Sequence, residues 1–268
     1  MNMSLTDAAT GTTFNTLDSA DGTTARTISL SGVLTGTGSI TKTGSGKLVI
    51  SGNSIYTGNT AVNAGSLAVN GSLANTSTTV GTTAILQGSG SLVGTVTVQN
   101  GGTLAPGNSI ESLGSGNLSL ENGSTYAYEL QTNLYAGTPG IAGDLTYSSG
   151  TLNIASGTIL TLTDLAASTA LANGSKLTLI SSIGAWNNGL FSYNAGAGLT
   201  LLADDSTFIL GLNEWQFNYN DTTSGSNYTG DTTSATNFVT MTVVPEPNAA
   251  TLVAGLGTLA LLRRRRNA

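Results

Sequence analysis

From Thr27 onward the chain alternates apolar and polar residues in short runs, each closed by glycine or asparagine. Gly46-Lys47-Leu48-Val49-Ile50-Ser51-Gly52, Gly65-Ser66-Leu67-Ala68-Val69-Asn70-Gly71, Gly102-Thr103-Leu104-Ala105-Pro106-Gly107 and Gly150-Thr151-Leu152-Asn153-Ile154 share one outline: glycine, a polar residue, apolar residues, a turn. A period of two predicts strands, and glycine or asparagine supplies the positive φ of the corners between them. The motifs recur about every 20–25 residues, the range in which stacked repeats are expected. One such strand cannot bury its own leucine. Parallel stacking places each inward side chain over its neighbour at ~4.8 Å and builds a continuous core. The predicted fold is therefore all-β, a parallel β-helix (β-solenoid) spanning 1–185.

Between Trp186 and Phe238 the pattern gains aromatics, with Trp215, Phe217 and Tyr219 alternating on one strand face. The last rung of a solenoid exposes an apolar cross-section, so an aromatic-rich β cap over 186–243 is expected. The competing reading makes Trp215, Phe217 and Tyr219 a platform for sugar rings. Thr222 to Asn237 reads as a Ser/Thr/Gly/Asn linker, followed by a final strand at Phe238 to Val243.

The tail, 244–268, has a third character. Pro245 and Pro247 make Val244-Pro245-Glu246-Pro247 an extended connector. Residues 249–262 carry no charge and predict a short hydrophobic helix, which Arg263, Arg264, Arg265 and Arg266 terminate. At ~1.5 Å per residue the helix spans ~21 Å, short of a ~30 Å hydrocarbon core. The arginines supply the positive-inside signal that would keep the tail's end in the cytoplasm.

Composition then narrows the chemistry. Only 8% of residues are charged, and glycine stands at 36 of 268. Up to Val244 thirteen acidic residues face four basic ones, Arg26, Lys42, Lys47 and Lys176, so the body carries about −9. Without a cationic stripe, nucleic acid is not expected as a partner. The low charge suits stacking, since like charges repeated at ~4.8 Å repel whereas Ser, Thr and Asn form ladders. Histidine and cysteine are absent, which removes Ser-His-Asp and Cys-His nucleophiles and their metal sites. Paired carboxylates remain, and Glu111, Glu121 and Glu129 lie close enough in sequence to meet on adjacent rungs. Asp204, Asp205, Asp221 and Asp231 match no calcium-loop pattern. No metal, no cofactor and no catalytic residue is expected.

Two resemblances rest on these residues. The order Pro245-Glu246-Pro247, hydrophobic helix, arginine cluster resembles the PEP-CTERM sorting signal of Gram-negative envelope proteins. That resemblance implies recognition by an exosortase, cleavage near the Pro-Glu-Pro, and transient residence in the inner membrane through residues 249–262. The segment Gly32 to Leu73, with Lys42-Thr43-Gly44-Ser45-Gly46, Leu48 to Asn53, Tyr56-Thr57-Gly58 and Gly65-Ser66-Leu67, resembles the autotransporter-associated β-strand repeat. It implies a right-handed parallel β-helix on the cell surface. Met1 to Asp7 shows no secretory signal, so an entry signal upstream of Met1 is expected. The expected protein is a non-enzymatic, exported surface or extracellular-matrix β-solenoid that contacts exopolysaccharide. A carbohydrate-binding or glycan-processing β-helix is the alternative.

Overall fold

Three strands make one turn of the chain. The computed structural model describes residues 2–5, 11–16, 25–74, 77–135, 142–166, 168–194, 198–228 and 235–245. Successive strands pass in rotation to three sheets: Ile40–Thr43 joins the first, Lys47–Ile50 the second, Asn53–Ser54 the third, and Thr60–Val62 returns to the first. Each of these pairs in parallel with its counterpart one turn on. In the second sheet the register runs Thr27, Lys47, Ser66, Ile85, Thr103, Thr125, Ile159, Ser192. The turns are therefore 20, 19, 19, 18, 22, 34 and 33 residues long. The chain is all-β with stacked parallel sheets, as its alternation predicts. Early turns are tighter than the expected spacing, and the last two are longer because they carry excursions such as the 3₁₀ turn Thr132–Leu134.

The core is a set of columns. One residue past the register positions, Leu48, Leu67, Leu86, Leu104, Tyr126 and Leu160 stack inward, each no more than 1% exposed. Burying each such side chain contributes ~1.5–3 kcal/mol, which no isolated turn could collect. Corners must be thin for the turns to approach this closely. A Cβ on Gly90 would lie 2.0 Å from the Gly71 carbonyl oxygen, so no larger residue fits there without moving the backbone.

The stack ends by a change of pairing sense. Lys176–Ser182, the last parallel strand of the third sheet, pairs antiparallel with Asn237–Val244. That strand pairs antiparallel with Asn213–Asp221, and Thr207–Leu210 completes the edge. This antiparallel extension and the rings it turns inward cover the end of the core. The stretch expected to be a linker is partly packed instead. Asn227 is fully buried, its Nδ2 donating to the carbonyls of Asp144 and Thr178 and to Tyr128 Oη, while its Oδ1 accepts from Thr178 N–H. Polar composition does not imply solvent exposure when side chains can satisfy the buried main chain. The helix expected at 249–262 lies outside the described residues. Among the described residues, no helix is long and apolar enough to cross a membrane.

Candidate functional site

The repeat turn is built around a buried cation. Lys42 occupies the inward column of the first sheet, level with Val62 on the next turn, and it is fully buried. Its Nζ donates to the carbonyls of Thr43 at 3.0 Å, Gly44 at 2.8 Å and Ala64 at 2.8 Å. All three donor positions are used. The lysine thus joins its own corner to the corner above, which explains why a lysine precedes the Gly-x-Gly step. Burial lowers its pKa from 10.5 to about 8. Gly65, at φ +63°, forms the matching corner, and a Cβ there would lie 2.3 Å from the Gly46 carbonyl oxygen. Tyr56 is also fully buried, and its hydroxyl shares a short hydrogen bond with Thr60. On the outside, Lys47 Nζ donates to Asn108 Oδ1, and Asn108 Nδ2 donates to Asn70 Oδ1. Sequence reading treated Lys42 as one of four scattered cations. Its parity with inward Ile40 was the available signal.

The carboxylates regroup around a residue that sequence reading missed. Glu111 and Glu129 donate their main-chain N–H groups to Asp144, at 3.2 Å and 3.0 Å. Glu121 stands apart, exposed in the turn after Leu118–Leu120. Asp144 is 1% exposed, and burial pushes its carboxyl up to about 8, with the charges of Glu129 and Glu111 adding to the shift and the two hydrogen bonds opposing it. A cavity of about 310 Å³ lies alongside, lined by Ser89, Ile110, Glu111, Ser112, Gly143, Leu145 and Asn227. Glu111 is the one carboxylate on that lining among the described residues. Glu121 thus lies apart from Glu111 and Glu129, whose main chains meet at Asp144. Asp144 carries no signal in the sequence, because the N–H groups its carboxylate accepts from, those of Glu111 and Glu129, lie 33 and 15 residues away.

The aromatic triplet is not a platform. Trp215, Phe217 and Tyr219 are all 0% exposed. Phe217 and Tyr219 meet at 4.8 Å, Phe191 lies 6.1 Å from Tyr219, and Trp186 stacks on Tyr219 at 5.3 Å. Tyr219 Oη donates to the Leu202 carbonyl and accepts from Phe191 N–H. The inward parity of Asn213–Asp221 turns all three rings into the end of the core, so none offers a face to a sugar.

The acidic residues weighed for calcium are spent locally. Asp204 accepts from Tyr219 N–H, Asp205 from Asn218 Nδ2, and Asp221 from Lys176 Nζ at 2.6 Å. Asp231 lies outside the described residues. Of the sorting residues, Pro245 is exposed just past the final strand. Glu246, Pro247 and Arg263, Arg264, Arg265 and Arg266 lie outside the described residues.

Comparison with known families matches residues 40–69 to the Passenger-associated-transport-repeat. That span is the turn built on Lys42, Tyr56 and Gly65. No curated protein matches the chain. The repeat and the stacked parallel sheets together fit a surface or passenger-type β-helix protein, and the repeat points to export.

Proposed function

We propose that this chain is a non-enzymatic, exported β-helix, displayed on the cell surface or in extracellular matrix and processed at its C-terminus by an exosortase. The observation that carries the reading is a parallel three-sheet stack holding a transport-associated repeat at 40–69. In this reading Pro245, Glu246 and Pro247 form the processing signal, residues 249–262 hold the chain transiently in the inner membrane, and Arg263 to Arg266 keep its end in the cytoplasm. What supports access to that signal is that Val244 pairs with Glu214 at the end of the cap and Pro245, the next residue, is exposed.

The test is intact mass and fractionation of the protein from its native host, wild type against Glu246→Ala. Wild type is expected to lose a C-terminal fragment beginning near Pro245, and the variant to stay full-length in the membrane fraction. A wild-type chain still ending at Ala268 removes the exosortase from the account.

A further inference from the structure

The outer surface of the third sheet carries one column in register: Asn53, Ser72, Ser91, Gly114, Tyr147 and Ser181. Neighbours stand one turn apart, ~4.8 Å. Gly114 leaves a gap between Ser91 and Tyr147. Beside it the rings of Tyr147 and Tyr228 meet at 5.7 Å, with Phe238 edge-on behind Tyr228 at 5.2 Å. The result is a groove of about 270 Å³, rimmed by Val93 and Ile183, which are 53% and 47% exposed. Ser181 lines this groove while only 2% exposed, and its hydroxyl has no hydrogen-bond partner among the described residues. Among the described residues, no charged side chain is on the lining.

We infer that this groove binds a neutral sugar ring. Three features select that class together. An ionised ligand would leave water for an apolar site with no counter-ion among its described residues, which is unfavourable. A wholly apolar ligand would seal Ser181 away from water with its hydroxyl unpaired, which native sites avoid. A sugar meets both demands, laying its C–H face on the tyrosine wall and exchanging a hydroxyl hydrogen bond with Ser181. The groove is smaller than the ~300–1,000 Å³ of drug-sized pockets, so it takes one or two rings and binds with Kd on the order of 1 mM per site. The inference stands on this geometry and holds whether or not the tail is cleaved.

Affinity electrophoresis of the full chain tests it, in gels containing a neutral glucan, a neutral mannan or a polyuronate. At least one neutral polymer is expected to retard the protein, reversibly on addition of its short oligosaccharide, while the polyuronate does not. Ser181→Ala is expected to weaken the retardation by about threefold. Val93→Arg, on the exposed rim, is expected to abolish it. Both variants should melt with the wild type, so loss of fold cannot imitate loss of binding. Wild-type mobility in both neutral gels overturns the inference. So does unchanged retardation of the two variants, equal retardation by the polyuronate, or displacement by an apolar peptide rather than an oligosaccharide.

Discussion

Trp215→Ala is expected to destabilise the protein by ~3–5 kcal/mol, read as a lower urea midpoint, and to cause self-association at concentrations where wild type is monodisperse. Trp215 is fully buried beside Phe217 and Tyr219, at the end where the parallel stack gives way to antiparallel strands. Its Nε1 has no hydrogen-bond partner among the described residues, so the ring acts there by packing. Trp215→Phe should accordingly cost far less, under ~1.5 kcal/mol if the neighbours repack. Self-association follows because an opened cap offers an apolar cross-section and free strand edges to another copy. Near-wild-type stability of Trp215→Ala, together with lost sugar binding, would restore the platform reading that the burial of this ring opposes.

The second large effect is an unusual dependence on pH. Asp144 is raised from 3.8 to about 8, so its contribution is fully present below pH 3.8 and is lost as pH rises toward 8. The unfolded chain releases that proton early, and the folded chain holds it. Lys42 is lowered from 10.5 to about 8, so the unfolded chain binds more protons between those values and stability rises with pH across that window. Tyr126, Tyr128 and Tyr219 are all raised above 10.0 by burial, which ends the recovery near pH 10. Asp221, where burial raises the pKa but hydrogen bonds from Lys176, Thr223 and Thr240 lower it on balance, loses its contribution only as pH falls below the ordinary 3.8, outside the window of interest. Stability should therefore pass through a minimum near pH 8. At ~1.4 kcal/mol per pH unit, the Asp144 contribution alone falls by on the order of 4 kcal/mol between pH 5 and pH 8. Urea unfolding at the two values measures it. Asp144→Asn should flatten the difference even if it lowers stability overall, and a wild-type midpoint equal at pH 5 and pH 8 would contradict the burial argument.

Much of the fold was legible because stacking writes itself into local sequence. Leu48, Leu67, Leu104 and Leu152 each follow a glycine and a polar residue at short range, and all four are inward. Trp215, Phe217 and Tyr219 alternate as a cap strand should. What was not legible depends on contacts between turns. Lys42 shares the parity of inward Ile40, but the carbonyls of Thr43, Gly44 and Ala64 that let a cation sit there show only in the stacked turns. Asp144 and Asn227 lie 83 residues apart and meet through a hydrogen bond from Asn227 Nδ2 to the Asp144 carbonyl. The spacing also misled in the later turns, where excursions lengthen the repeat to 34 and 33 residues and hide Tyr147 and Ser181 from any periodic reading. The groove is assembled from those hidden positions. Stacking therefore predicts columns well and the occupants of an outer column poorly.

The account stands or falls on where the body of this protein resides. The direct measurement is labelling of intact native-host cells that express the chain with a small epitope in the exposed turn at Thr82-Thr83, compared before and after permeabilisation. Labelling of intact cells, unchanged by permeabilisation, is the predicted result for a surface β-helix. An epitope reached only after permeabilisation would place the solenoid inside the cell and contradict the assignment.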